Sequence, residues 1–311
     1  MTPAPERRMT RPEVRLRRAA LAIFEASIGS PARRMRAQPG GQTNLVFMLE
    51  SDQGSFVLRM DQRVDKLYQY RKERWAIDHA RRMHIPVPKV IEVGSTPTGV
   101  SFMLSRREPG RLATSLPDTG GVLRQLGQYA RKLHEGPLAM YGGHQDDVTA
   151  PWKTWPEFLE HEFKLDQRLK QLQALDLIDE ATAAHMADLV LRLGTGREPR
   201  LNHGDLRLKN VLVDSAGRIN AIIDWENAVA APAPEWELAL ALHDLSIDEK
   251  DAFLDGYGYE AADLVETRAA LAALNMLHYA PFAERGAQAG NDQQMRHYRR
   301  RFARVYDFYS P

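Results

Sequence analysis

The sequence predicts an α+β protein built as two lobes, a small sheet-plus-helix lobe over residues 1–105 and a larger, mainly helical lobe over 106–311. Three observations carry that reading. Strand-like apolar runs crowd residues 45–104, helical periodicity dominates beyond residue 119 except for a β-rich interruption at 211–223, and 311 residues amount to about two domains. The composition, 43% hydrophobic and 27% charged, supplies a sizeable core and excludes disorder over most of the chain.

The elements follow in order. Residues 1–10 (MTPAPERRMT) read as a loose polar tail. From Pro12 to Ser27 the apolar residues Val14, Leu16, Ala19, Leu21, Ile23 and Phe24 recur at spacings that suit one face of a helix. Leu45–Leu49 and Phe56–Met60 flank a Ser51-Asp52-Gln53-Gly54 turn, the pattern of a β-hairpin, and the segment Pro39-Gly40-Gly41-Gln42-Thr43-Asn44 precedes it. A charged helix over 65–83 stops before the Ile85-Pro86-Val87-Pro88 breaker, and strands are expected at 89–93 and 100–104. Beyond Arg106-Arg107-Glu108-Pro109-Gly110, helices are expected over 119–135, 155–174 and 179–193, and again from the β-rich interruption to the C-terminus. No internal repeat interrupts this order.

The residue inventory limits the chemistry. There is no Cys, so disulfides, thiolate metal sites and cysteine nucleophiles are excluded and His, Asp, Glu, Lys, Arg and Asn must do the work. Lys plus Arg number 42 against 41 Asp plus Glu, a formal charge of +1, which argues against a whole-chain nucleic-acid or polybasic membrane role. With no apolar run of membrane-spanning length and no secretory signal, a soluble cytoplasmic protein is the expectation. Oligomeric state is not legible.

The most informative segment runs from Leu201 to Glu226. It reads His203-Gly204-Asp205, four spacers, Asn210, then Val211-Leu212-Val213, a turn at Asp214–Gly217, Ile219–Ile223 and Asp224. Two apolar runs about a polar turn predict a hairpin, which would bring Asn210 beside Asp224 while Asp205 sits on the entering loop. Two carboxylates and an amide converging there are hard oxygen ligands of the kind Mg²⁺ takes when substrate phosphates complete its shell. Either Asp alone would read as a turn cap or strand end. The ordered set repeats the spacing of a kinase catalytic loop and its metal-binding Asp.

On these residues the chain resembles the aminoglycoside phosphotransferase and choline-kinase-like small-molecule kinases, in which His-Gly-Asp stands for His-Arg-Asp and Ile-Asp-Trp-Glu for Asp-Phe-Gly. Gly40–Asn44, Phe56-Val57-Leu58-Arg59 and Ile85–Pro88 extend the resemblance over roughly residues 38–245. It implies a two-lobed protein-kinase-like fold and transfer of the γ-phosphate of ATP, or of GTP, to a small-molecule hydroxyl. It also implies that Asp205 orients the hydroxyl and accepts its proton, that Asn210 and Asp224 hold Mg²⁺, and that His203 braces the loop, with Arg207 a further catalytic candidate. In the small lobe it implies that Arg59, where protein kinases carry Lys, pairs with Glu73 and touches phosphate; the alternative is a surface ion pair. Gly40, Gly41 and Thr43 would cover the phosphates, or mark an ordinary turn. Phe102–Arg107 would be the lobe-connecting hinge whose backbone groups meet adenine, with Met103 and Leu104 as nucleotide-binding candidates, or those two side chains are plain core.

For the acceptor, the resemblance points to helices carrying Trp152, Trp155, Glu157, Phe158, Glu160, Glu162 and Asp166, and to the stretch 235–255. That stretch holds seven carboxylates and one Lys, local negativity that would suit a cationic acceptor such as an aminocyclitol antibiotic, or simply a solvated face. Glu237 is expected to brace the catalytic loop. His144-Gln145-Asp146-Asp147 lacks metal-site spacing and reads as a loop. Arg59 and Ser105–Gly110 are similar to the hygromycin-phosphorylating branch. The competing readings are a metabolite kinase, with an amino alcohol, sugar or amino-acid derivative as acceptor, a pseudokinase without turnover, and a nucleic-acid binder through the Arg-rich ends; the balanced charge disfavours the last.

Overall fold

The computed structural model describes residues 11–38, 45–63, 65–144 and 151–303. The polar tail and the segment containing Gly40, Gly41 and Thr43 lie outside them. Two compact units emerge: Met1–Arg74 with Pro88–Glu108, and Trp75–Val87 with Pro109–Pro311. Residues 75–87 group with the second unit because Trp75 stacks on His144 with ring centroids 4.4 Å apart and the Pro86 carbonyl accepts from Ile222 N–H at 2.8 Å.

The first unit holds α1 (Arg11–Ile28), β1 (Arg34–Gln38), β2 (Leu45–Ser51), β3 (Gly54–Asp61), the first half of α2 (Lys66–Arg82), β4 (Val90–Ser95) and β5 (Ser101–Arg106). The strands form one antiparallel sheet in the order β1-β2-β3-β5-β4. The hairpin β2–β3 closes over Asp52–Gln53 as the sequence predicts, with Ser51 opposite Gly54. Alternation does the rest: Phe47 and Leu49 on β2 and Phe56, Leu58 and Met60 on β3 turn to one face, where Ala20, Ile23 and Phe24 of α1 cover them. Phe24 meets Phe56 edge-on at 5.2 Å. Strand β1 is not evident from the sequence because RMRAQ is an edge strand, almost wholly exposed and charged, with no apolar alternation to announce it.

The second unit contains β6 (Arg111–Leu112), α3 (Gly120–Leu133), α4 (Trp155–Phe158), α5 (Leu165–Ala174), α6 (Glu180–Leu193), β7 (Arg200–Asn202), β8 (Val211–Val213), β9 (Ile219–Ile222), β10 (Val229–Ala231), α7 (Glu235–Ala241), α8 (Ile247–Tyr257), α9 (Ala261–Gln288) and α10 (Asp292–Ala303). The small-sheet, helical-unit architecture is the α+β fold expected. The helix expected over 155–174 is broken, however. Leu159–Phe163 widens into a π turn and Lys164 adopts φ 60°, because Phe163 turns onto Trp236 and His278 at 5.0 and 5.3 Å while the half-buried Arg168 guanidinium takes over the Phe163 and Leu277 carbonyls. Among the described residues no helix is long and apolar enough to cross a membrane.

Truncating Phe24 to Ala should lower stability by about 3–5 kcal/mol, through lost burial and an unfilled cavity against Phe56. Urea denaturation would read this; a loss below about 1 kcal/mol would mean α1 does not seal the sheet.

Candidate active site

The catalytic-loop candidate leaves β7, which pairs with β10, and runs through residues 203–210 into β8. Its backbone is held from beneath by Glu237, in the first turn of α7 and fully buried. That carboxylate accepts from the N–H groups of His203 and Gly204, the latter at 3.2 Å, and from the backbone at Leu206. Burial pushes its pKa up to about 7 against the lowering effect of those donors. Gly204 has φ +75°, and a Cβ there would lie 2.4 Å from the Asn227 carbonyl oxygen, so both conformation and close approach demand glycine.

His203 is fully buried against Trp225, ring centroids 4.5 Å apart. Its Nε2 faces the Ile223 carbonyl at 3.1 Å, and its Nδ1 faces the Asp205 N–H at 3.2 Å. Only the neutral ring protonated on Nε2 satisfies both, and burial agrees, drawing the pKa down to about 4. His203 thus ties the loop to the end of β9.

Asp205 is 6% exposed. Burial alone would raise its pKa, but Arg207, whose Nε donates to Oδ1, and Lys209, whose Nζ lies 2.7 Å from Oδ2, together hold it below the ordinary carboxylate value. Arg207 also meets Asp244 at 3.1 Å, and Asp244 lies 3.5 Å from Arg301 of α10, whose guanidinium sits 3.9 Å over the Tyr279 ring. The Lys209 contact had an i,i+4 signal that sequence reading passed over. The link to Arg301, almost a hundred residues away, had none.

Asn210 donates from Nδ2 to both the main-chain oxygen and Oδ2 of Asp205, each at 2.9 Å. Two oxygen acceptors on one side fix the amide, so Oδ1 is the end turned away from Asp205. The β8–β9 pairing sets Val211 opposite Ile222, and Ile223 N–H donates to the Asn210 carbonyl at 2.9 Å, which puts Asp224 at the hairpin root beside Asn210. Asp224 itself takes φ 67°, a sharp turn out of the strand. An amide oxygen and a carboxylate fit Mg²⁺ completed by phosphate oxygens. Among the described residues no group of three His, Asp or Glu could hold a metal by itself.

In the first unit Arg59 Nη2 pairs with Glu73 Oε2, with side-chain exposures of 16% and 3%, so this is a buried pair and not a surface one. The guanidinium also lies 5.3 Å from the Tyr70 ring centroid and 3.8 Å from the Met103 sulfur. Residues 102–106, expected as a hinge, are part of β5 between β3 and β4; Leu104 is core and Met103 is buried against Arg59.

The acidic stretch is largely spent on structure. Glu235 pairs with Arg197 at 2.8 Å, Glu237 braces the loop, Glu249 caps α8 at Ser246 and accepts from Thr119, Asp255 meets Arg124, and Asp244 meets Arg207. Trp155 and Phe158 are core, and Glu157 caps α4. Glu162 accepts from Trp152 Nε1 at 2.9 Å. His144 is buried against Trp75, and its neighbours 145–147 lie outside the described residues.

A family model described as the phosphotransferase enzyme family matches residues 34–293. Hygromycin-B 4-O-kinase of Escherichia coli is 26% identical over 197 residues, 61% of this chain and 56% of that protein, so the chain matches little more than half the length of this relative. The crystal structure of aminoglycoside phosphotransferase APH(4)-Ia superposes with a TM-score of 0.70 at 17% identity, covering 94% of this chain and 99% of that one. A thermostable mutant of the same protein in ternary complex with AMP-PNP and hygromycin B gives 0.69 at 18% identity, covering 93% and 98%. The GDP complex of wild-type aminoglycoside 2'-phosphotransferase-IIIa gives 0.66 at 15%, covering 94% and 98%.

Protonation of the buried groups sets a pH dependence. His203, His134 and His278 are held neutral by burial, at about 4, 3 and 3 against an ordinary 6.5. The unfolded chain takes up these protons first, so their stability contribution is present above 6.5 and lost as pH falls towards 4. Glu237 opposes them: raised to about 7 from 4.5, its contribution is present in acid and lost as pH rises through 7. Three groups outweigh one, so stability should fall on acidification below 6.5, and His278→Phe should flatten that limb in urea titrations at several pH values. A wild-type profile flat from 6.5 to 4 would mean these rings carry charge.

Proposed function

We propose, since the chain belongs to the phosphotransferase enzyme family, that it moves the γ-phosphate of ATP, or of GTP, to a hydroxyl of a small molecule, with Mg²⁺ held by Asn210 and Asp224. The observation that carries the reading is the Asn210–Asp205 hydrogen bond at the root of the β8–β9 hairpin. It locks the hydroxyl-orienting carboxylate to one of the metal ligands. Mg²⁺ bound there supplies charge neutralisation to the phosphate oxygens.

The chain's own groups do the rest. Asp205 is ionised throughout the neutral range, so it is a good acceptor for a substrate O–H and a poor base. Its part is to aim the hydroxyl and take the proton late, which suits a loose phosphoryl-transfer transition state. Arg207 and Lys209 keep that carboxylate charged in spite of burial and place cationic charge beside the reacting oxygens. Arg59, steadied by Glu73, is the phosphate contact of the first unit. The nucleotide assignment draws support from the AMP-PNP and GDP complexes of the structural neighbours.

An aminoglycoside-type acceptor is the leading reading, supported by the hygromycin kinase relative. A metabolite kinase is the second. The observation that favours it is that Glu235, Glu237, Glu249 and Asp255 are engaged within the fold and do not line a negatively charged wall for a polycation.

Asp205→Asn should reduce turnover about 10² to 10⁴-fold with nucleotide binding retained, and unchanged turnover would remove Asp205 from the mechanism. Release of ADP or GDP across a panel of aminoglycosides, amino alcohols and sugars separates the two acceptor readings. Arg59→Ala should cost about 3–5 kcal/mol of stability by stranding the buried Glu73. Pairing it with Glu73→Gln should restore most of that stability but not nucleotide affinity. Full recovery of both would make the pair purely structural.

A further inference from the structure

Arg207 spans two carboxylates. Its Nε donates to Asp205 Oδ1 and its Nη1 to Asp244 Oδ2, the latter at 3.1 Å. Bonds from two arms of a planar fork set the plane of the guanidinium as well as its position, where either bond alone would let it turn. That plane matters to Asp205. Its other oxygen, Oδ2, is held by Asn210 Nδ2 at 2.9 Å and Lys209 Nζ at 2.7 Å, so Arg207 is what holds Oδ1 and with it the direction of the remaining lone pairs.

Asp244 is a poor anchor by itself. It lies between α7 and α8 with its side chain 54% exposed, and an exposed ion pair holds two long side chains weakly. A second cation changes that. Arg301 of α10, its side chain only 10% exposed, lies 3.5 Å from Asp244 Oδ1 while Arg207 takes Oδ2, so each oxygen of the one carboxylate has a cation. Arg301 is in turn set over the Tyr279 ring of α9 at 3.9 Å. Tyr279 feels the charges of Arg207, Asp244 and Asp205, which closes the chain of contacts on the loop. All of these residues belong to the second unit.

We propose that Asp244 and Arg301 are positioning residues for phosphoryl transfer: Arg301 holds Asp244, and Asp244 holds Arg207 in the plane that aims the Asp205 carboxylate. The inference rests on the phosphotransfer reading and deepens it, by placing part of the catalytic geometry outside the loop, after α7 and in α10.

Two readouts on the full chain test it. The first needs no turnover: solvent exchange of the Arg207 Nε–H, followed by heteronuclear NMR and assigned by its disappearance in Arg207→Lys. Asp244→Ala, at an exposed position where the fold should survive, and Arg301→Leu should each speed that exchange about tenfold or more through the lost charge-assisted contact, and Asp244→Glu should restore it. The second is steady-state release of ADP or GDP with the aminoglycoside, amino alcohol or sugar that the wild type turns over fastest. There kcat should fall about tenfold or more in the same two variants, since about 1 Å of misalignment can cost about 10²-fold, while KM for the nucleotide stays within about twofold. Melting temperatures confirm folding, and a merely structural role would lower them without that split. Unchanged exchange in folded Asp244→Ala, or faster exchange with kcat intact, would each overturn the inference. A wild type that turns over no acceptor would instead fail the phosphotransfer reading, and the exchange rates would still decide whether Asp244 positions Arg207.

Discussion

A carboxylate sealed from water beneath the main chain is the constraint on which the candidate site depends. Burying Glu237 costs several kcal/mol unless its oxygens are matched, and the matching donors are the N–H groups of the very loop that carries Asp205. Those N–H groups, buried themselves, would be equally costly without it. The left-handed Gly204 is what lets successive amides point at one carboxylate, and the Asn227 carbonyl fills the space where a side chain would be. Loop geometry is therefore fixed by internal matching of donors and acceptors before any ligand arrives.

The same unit shows how environment divides the duties of two carboxylates. Glu237 and Asp205 are both buried, and burial raises the pKa of each. Only Asp205 has cations against it, so it ends below its ordinary value while Glu237 ends near 7. One is a scaffold that tolerates a proton, the other an acceptor that keeps its charge. Arg207 joins the two halves of this arrangement to the rest of the unit, because its second partner, Asp244, is shared with Arg301 of α10. A helix near the C-terminus thereby bears on the orientation of a side chain in the catalytic loop.

Much of this was legible in the sequence, and the reasons differ by element. The β2–β3 and β8–β9 hairpins announce themselves because one-sided burial writes an alternating or β-branched pattern and the turns between them are short and polar. Sequence spacing placed Asp205, Asn210 and Asp224 on one loop and hairpin for the same reason. The edge strand β1 escaped because exposed edges carry charge instead of pattern, and the break at Lys164 escaped because its cause lies in Trp236, His278 and Arg168, side chains that are remote or read as ordinary helix. The acidic run at 235–255 misled in the opposite direction. Composition shows charge, but only coordinates show that Arg197, Thr119, Arg124 and backbone amides have already claimed it.

Arginine at position 59, where protein kinases carry lysine, follows from the same physics. The site is nearly closed to water, and burial penalises a charged amine. Within this chain burial draws Lys250 down from 10.5 to about 8 and Arg168 by as much, from 12.5 to about 10, but the arginine starts higher and stays charged at neutral pH. A lysine packed against Tyr70 and Met103 would face a similar pull, opposed by Glu73. The guanidinium tolerates it because its pKa starts higher, its charge is delocalised and weakly hydrated, and its donors form a planar fork, one arm of which, Nη2, bonds Glu73. An arginine can therefore anchor a buried carboxylate and still offer charge-assisted donors to a phosphate, where a lysine's point charge would serve the two less well at once.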